Sequence, residues 1–313
     1  MSDAARESNM RAGSVESGER ASASVGALID ELARMLRAAG LSEPFSEARD
    51  IVAALMDQPR FWPVANAAAA VEATLCVCAR AAVQKRARGA PLAYAVGRAS
   101  FRHLTLEVDE RVLIPRPETE RLVDLVLEQV HSTDGGFAID VGTGSGAIAL
   151  SLATEGSFEG VYGTDVSADA LAVARRNIAR ARDALRAPVK LAEGSLLGPV
   201  DGVRARVVVS NPPYIAFGEA ASLPRSVRDW EPPTALLSGH DGLAATTRLV
   251  RASVRVLEPG GLLALEVDAR RASLVAELVA CEACFDLVRV ELDLTGRERF
   301  VLARRREGTD DRG

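Results

Sequence analysis

The most constraining stretch of this chain is Phe137-Ala-Ile-Asp-Val141, followed by Gly142-Thr143-Gly144-Ser145-Gly146 and then Ala147-Ile-Ala-Leu-Ser-Leu152. An apolar strand passes through three closely spaced glycines into an apolar helix. Glycine has no Cβ, so such a turn takes left-handed backbone angles and lets a ligand approach the main chain, while amides at a helix start favour an anion. After a second strand, about 20 residues on, comes Asp165, where a carboxylate accepts hydrogen bonds from both hydroxyls of a ribose. These pieces in this order predict a doubly wound α/β fold that holds a ribose-bearing cofactor.

The rest of the chain agrees. From Pro117 to residue 306 helix and strand alternate: helices at 117–130, 146–154 and 168–182, strands at 137–141, 160–164, 188–192 and 205–210. A long loop, a helix from 243, a strand at 261–267 and a helix at 270–283 follow, and strands at 285–292 and 299–304 give an antiparallel finish. This is a parallel sheet with helices on both faces. Residues 25–95 read instead as a small helical bundle, with Leu28, Ile29, Leu32, Met35 and Leu36 on one face of its first helix. Further helices are expected at 46–56 and 66–87, with Pro59 and Pro63 breaking the chain between them. Between the two parts, 96–116 reads as a hairpin linker: 99–108 alternates, Asp109 and Glu110 turn, and Val112 to Ile114 return. Residues 1–24 and 307–313 are polar and read as a disordered tail and a loose end.

The glycine turn with Ala147 also satisfies the looser dinucleotide fingerprint. Two features favour S-adenosylmethionine. Asp140 stands just before the first glycine, where a methionine ammonium would lie, and a second chemical motif follows the fourth strand. That motif is Asn211-Pro212-Pro213-Tyr214, placed where a doubly wound sheet presents its ligand edge. The prolines fix the backbone and remove two amide donors. The Asn211 side-chain oxygen and the Pro212 carbonyl remain as acceptors beside the Tyr214 ring, an arrangement suited to a planar NH2 group. The reaction expected is methyl transfer to an amide or amino nitrogen.

Composition narrows the alternatives. The 313 residues are 48% hydrophobic, enough for one large domain and a smaller one. With 38 basic against 43 acidic residues the net charge is −5, which gives no broad footprint for a stable nucleic-acid complex. No apolar run reaches the roughly 18 residues of a membrane span, and the N-terminus lacks the apolar core of a signal peptide, so a cytoplasmic protein is expected. Cys76, Cys78, Cys281 and Cys284 have no histidine near them and read as free thiols rather than metal ligands.

These motifs, with Leu113-Ile-Pro-Arg-Pro-Glu-Thr-Glu120, Val227-Arg-Asp-Trp-Glu-Pro232, Asp241-Gly-Leu and Leu257-Glu-Pro-Gly-Gly-Leu, resemble the HemK-type peptide chain release factor glutamine methyltransferases from about Ala90 to Ala303. The resemblance implies a seven-stranded class I S-adenosylmethionine-dependent methyltransferase sheet, with residues 25–95 as a helical substrate-recognition domain. It implies class I release factors as partners and the glutamine of their Gly-Gly-Gln loop as acceptor. Gly142, Thr143, Gly144, Ser145, Gly146, Asp165, Leu196 and Asn211 then hold the cofactor, with Asp140, Ser195 and Arg116 as further candidates. Asn211, Pro212, Pro213 and Tyr214 hold the substrate, and Asn211, Pro212 and Tyr214 carry catalysis. Two departures stand out. Gly194-Ser195-Leu196 lacks the family's Asp after the third strand, and Leu265-Glu-Val-Asp-Ala replaces Glu followed by glycine. Rival readings are an adenine amino-methyltransferase acting on DNA or RNA, a ribosomal-protein glutamine methyltransferase, and a non-catalytic cofactor-binding protein.

Overall fold

The computed structural model describes residues 23–130 and 135–308; most of both expected polar ends lies outside them. The Ser24 side chain accepts from the Ala27 amide and caps the helix Val25–Ala38 (α1). The strand Ala23–Ser24 (β1) pairs with Ala70–Val71 (β2). The helices Pro44–Leu55 (α2), Trp62–Ala65 (α3), Ala73–Ala87 (α4) and Leu92–Val96 (α5) complete this part. Leu28, Ile29, Leu32 and Leu36 are buried as the spacing predicts, against Ile51 of α2 and Val83 of α4, while Met35 sits partly buried at the edge. The helix expected from residue 66 starts only at Ala73. The carbonyls of Ala67 and Ala69 turn back to accept the Gly26 and Val25 amides at 2.8 and 2.9 Å, satisfying donors that a helix start leaves free. Pro63 does not break the chain; it lies in the first turn of α3, where its missing N–H removes no bond.

The hairpin is shorter than expected. The strands Arg98–Phe101 (β3) and Leu104–Glu107 (β4) turn at Arg102 and His103, not at Asp109 and Glu110, and residues 112–114 form no strand. The reason is tertiary. Arg102 takes a left-handed φ of 53°, and its guanidinium reaches Glu155 through two bonds of 2.8 and 2.7 Å and Asp124 at 2.6 Å. Asp109 instead closes a local turn by accepting from the backbone amide and guanidinium of Arg111.

The chain continues through Pro117–Val130 (α6), Phe137–Val141 (β5), Ala147–Glu155 (α7), Gly160–Asp165 (β6), Ala168–Arg180 (α8), Val189–Glu193 (β7) and Ala205–Ser210 (β8). Two short helices, Arg225–Arg228 (α9) and Pro233–Leu236 (α10), occupy the long loop. Ala244–Val256 (α11), Leu257–Glu266 (β9), Ala272–Cys281 (α12), Phe285–Leu292 (β10) and Glu298–Arg305 (β11) complete it. The seven strands β5 to β11 lie in the order β10-β11-β9-β8-β5-β6-β7. The strands β5 to β9 are parallel, and β11 runs antiparallel to β9 and β10. Alternation along β8 shows both faces covered. Val207 and Val209 pack with Leu122 of α6 and Leu150 of α7, while Val208 packs with Leu249 of α11 and Val275 of α12. The order reverses beside β5, so the crevice at the carboxyl ends of β5 and β8 is the expected ligand edge. Among the described residues no helix is long and apolar enough to cross a membrane.

Arg102 joins the hairpin to α6 and α7, and its side chain is 12% exposed. Hydrogen bonds to charged groups contribute about 1.5–3 kcal/mol net, so Arg102→Ala should lower stability by about 2–3 kcal/mol in urea unfolding. An unchanged unfolding midpoint would show that these ion pairs do not hold the hairpin.

Candidate active site

The glycine turn and the acid after β6 are locked together. Gly142, Gly144 and Gly146 take φ values of 74°, 54° and 84°. The Gly142 and Thr143 amides donate to the Thr164 carbonyl at 2.8 and 2.9 Å, and the Gly146 amide donates to the Thr143 carbonyl at 2.8 Å. The Gly144 amide donates to Oδ2 of Asp165 at 3.0 Å, and Oδ1 of Asp165 accepts from Ser167 at 2.9 Å. These four turn amides are thus engaged by the protein itself. The turn is not the open anion cradle its composition suggests, and a pyrophosphate would find few donors there. Burial raises the Asp165 pKa, and hydrogen bonds from the Ser167, Gly144 and Val166 amides hold it down.

A cleft of about 440 Å³ opens beside this turn, walled by Gly142, Gly144, Asp165, Ser195, Leu196 and Asn211. Leu196 is held at a φ of 51°, its carbonyl accepting from the Thr164 hydroxyl at 2.8 Å. It presents an apolar surface where an adenine ring could rest. Ser195 also lines the cleft, whereas Glu193 is not among its walls.

Other candidates support the cleft without lining it. Thr143 and Ser145 are buried; the Thr143 hydroxyl donates to Asp140 at 2.7 Å, and the Ser145 carbonyl accepts from Asn177 at 2.9 Å. Gly146 starts α7 behind them. Asp140, 1% exposed, lies under the turn and braces it, its Oδ2 accepting from Thr143 and, at 3.1 Å, from the Ala149 amide. Its Oδ1 is buried with no hydrogen-bond partner. Burial pushes this carboxyl up to about 7, against its two hydrogen bonds. A buried oxygen without a donor marks a place for an incoming one, so the residues present fit a cofactor with a cationic methionine end.

The segment after β8 forms the second half of the site. The Ser210 hydroxyl donates to the Val141 carbonyl at 2.6 Å and ties the ends of β8 and β5 together. Asn211 is a wall common to the cleft and to a neighbouring cavity of about 300 Å³. Pro212 and Pro213 line the cleft, whereas Tyr214 and Arg116 line the smaller cavity. Arg116 lies in the smaller cavity rather than the cleft, and one of its guanidinium nitrogens bonds both oxygens of the buried Glu231, at 2.7 and 2.8 Å. That pair joins the Pro-Arg-Pro-Glu-Thr-Glu and Trp-Glu-Pro motifs, and Trp230 packs beside Tyr94, Val108 and Val112. Burial, with Glu266 adding to it, pushes the Tyr214 phenol up to about 12, so it is neutral near pH 7.

Two residues of the site carried no local signal. The Asn211 amide donates through Nδ2 to the Thr119 hydroxyl at 3.1 Å, and Thr119 donates to Oε2 of Glu266 at 2.7 Å. Thr119 lies inside a motif that reads as a helix start, and Glu266 inside the late departure from the family pattern.

Residues 27–97 match the PrmC N-terminal domain, and residues 120–223 match the methyltransferase small domain. A release factor glutamine methyltransferase from Moorella thermoacetica is 38% identical, over 89% of this chain and 98% of that protein. Proteins of the same name from Gloeobacter violaceus and Deinococcus radiodurans are 42% and 41% identical, over 68% and 72% of this chain and 73% and 78% of theirs. Among solved structures, the hMettl16 catalytic domain in complex with a MAT2A 3'UTR hairpin superposes with a TM-score of 0.55 at 16% identity, covering 83% of this chain and 92% of that one; this likeness concerns the fold alone. The chain belongs to the release factor glutamine methyltransferases.

Proposed function

We propose that this chain transfers a methyl group from S-adenosylmethionine to the side-chain amide nitrogen of the glutamine in the Gly-Gly-Gln loop of class I peptide chain release factors. The observation that carries this reading is the position of Asn211. It stands between the cofactor cleft and the second cavity, with its nitrogen engaged by Thr119 and its oxygen left as an acceptor. With the Pro212 carbonyl it offers acceptors and no donor, which suits an NH2 group.

The bound cofactor supplies an electrophilic methyl on a sulfonium that is a good leaving group. Asp165 holds the ribose, Gly142 and Gly144 admit the methionine end, and Leu196 and Ser195 meet the adenine. An amide nitrogen is a weak nucleophile because its lone pair is conjugated. Full deconjugation costs about 18–20 kcal/mol if the peptide rotation barrier is a guide. Positioning contributes about 7–11 kcal/mol in favourable cases and is the larger part of what this site provides. Asn211 and Pro212 orient the nitrogen and polarise it partially, while Tyr214 packs on the amide plane. A phenol titrating near 12 stays protonated at neutral pH, so Tyr214 is no base; methylation makes the amide nitrogen cationic and acidic, and its extra proton then passes to water.

Three of the cations that line the two cavities are paired within the protein, Arg111 with Asp109, Arg116 with Glu231, and Arg270 with Asp268 and Glu219, while Arg248 on the cleft wall bonds the Ala244 carbonyl. This weighs against the adenine reading, since a flipped base brings phosphates that need free cations. Residues 25–95 are the surface offered to the release factor, 96–116 the linker and 117–306 the catalytic part; a substrate that acts on ribosomes places the reaction in the cytoplasm.

Mass spectrometry of a release factor incubated with enzyme and cofactor should find one added methyl on the Gly-Gly-Gln glutamine and none after Gln is replaced by Glu. Labelling of RNA or DNA with an unmodified release factor would overturn the assignment. Asn211→Ala should lower turnover by about 10²–10³, as loss of a preorganised contact does, with a smaller effect on cofactor binding. Asp165→Ala should do the reverse, because its partners do not change during transfer. Calorimetry showing unchanged S-adenosylhomocysteine affinity would remove Asp165 from the site.

A further inference from the structure

We propose that Thr119 and Glu266 are positioning residues that fix the Asn211 side chain with its oxygen toward the acceptor, and that this requires Glu266 in its ionised form. The inference rests on the reading of Asn211 as the group that holds the substrate amide.

The geometry follows from donor and acceptor counting. A carboxylate only accepts, and a hydroxyl has one proton and two lone pairs. With Glu266 ionised, the Thr119 proton is committed to Oε2 at 2.7 Å. Thr119 can then only accept from Asn211, so the amide must present Nδ2 to it, as found at 3.1 Å. Oδ1 is left for the acceptor. If Glu266 takes up a proton on Oε2 and turns it toward Thr119, the direction reverses. The carboxylic acid donates to Thr119, Thr119 donates to Asn211, and the amide turns over. Nδ2 then faces the substrate NH2, donor against donor, and the site loses its acceptor.

Glu266 is 1% exposed at the end of β9, and Thr119 is 4% exposed in the first turn of α6. The groups facing Glu266 are the Thr119 hydroxyl, Arg299 from β11, Arg116 and Glu118 from the start of α6, and Tyr214 beyond β8. Burial dominates and pushes its carboxyl up to about 7; the Thr119 bond, Arg299 and Arg116 hold it down, and Glu118 pushes with burial. Turnover should therefore rise as pH climbs through about 7. Asp140 also titrates near 7. Its hydrogen bonds go to Thr143 and Ala149 rather than to Asn211, so its effect belongs to cofactor binding.

The test is the pH profile of kcat for methyl transfer to a release factor, at saturating cofactor, in wild type and four variants. Thr119→Val should lower kcat about tenfold, the equivalent of one neutral hydrogen bond, with S-adenosylhomocysteine affinity unchanged. Thr119→Ser, which keeps the hydroxyl, should restore most of it. Glu266→Gln, neutral at every pH, should turn over at a reduced rate with no rise through pH 7; it serves also if Thr119→Val does not fold. A wild-type pH rise in Glu266→Gln, or wild-type kcat in Thr119→Val, overturns the proposal. Asn211→Ala distinguishes the two levels: if it loses turnover while the other variants do not, only the positioning role fails. If it keeps turnover, the reading of Asn211 fails with it.

Discussion

Val141, Ser210 and Leu265 stand level across three adjacent parallel strands. The next residue of each strand is therefore delivered to the same edge: Gly142 at the glycine turn, Asn211 between the two cavities and Glu266 behind it. A slip of one residue in either pairing would turn every side chain of that strand to the other face. Such a slip would move the β8 side chains into the opposite layers, since Val207 and Val209 face one packed layer and Val208 the other. Hydrophobic burial thus fixes the edge: the residues that set the register are buried in the two packed layers, and those that line the cavities are placed by it.

The electrostatics around this edge have a common form. Buried or half-buried charges are matched within the chain, as in Arg116 with Glu231 and Arg102 with Glu155 and Asp124. Asp140 and Glu266 are held by neutral donors in deep burial, and both are pushed up to about 7. Each sits directly behind one half of the site, Asp140 under the cofactor turn and Glu266 behind the acceptor. Holding such groups near their titration point makes the geometry in front of them sensitive to protonation.

Much of this was legible in the sequence because it depends on residues whose backbone behaviour is intrinsic. The left-handed angles at Gly142, Gly144 and Gly146 follow from glycine itself, and the rigid exit from β8 follows from Pro212 and Pro213. The alternation of apolar runs gave the seven strands, including the antiparallel pair at the end. What stayed hidden depends on partners far along the chain. Thr119 and Glu266 are 147 residues apart, and neither is unusual where it stands. The Gly142, Thr143 and Gly144 amides looked available because Thr164 and Asp165, their acceptors, lie on another strand. The hairpin was misplaced because Arg102, a poor candidate for a left-handed turn, is held there by ion pairs with two helices.

In the proposed reaction Asn211 and the Pro212 carbonyl receive an amide NH2 between the two cavities. A crystal structure with S-adenosylhomocysteine and a Gly-Gly-Gln release factor bound tests it most directly. The result predicted is the glutamine nitrogen within hydrogen-bond distance of Asn211 Oδ1 and the Pro212 carbonyl, beside the Tyr214 ring, with the Asn211 to Thr119 contact intact. A glutamine bound away from Asn211, or an Asn211 nitrogen turned toward the substrate, would contradict it.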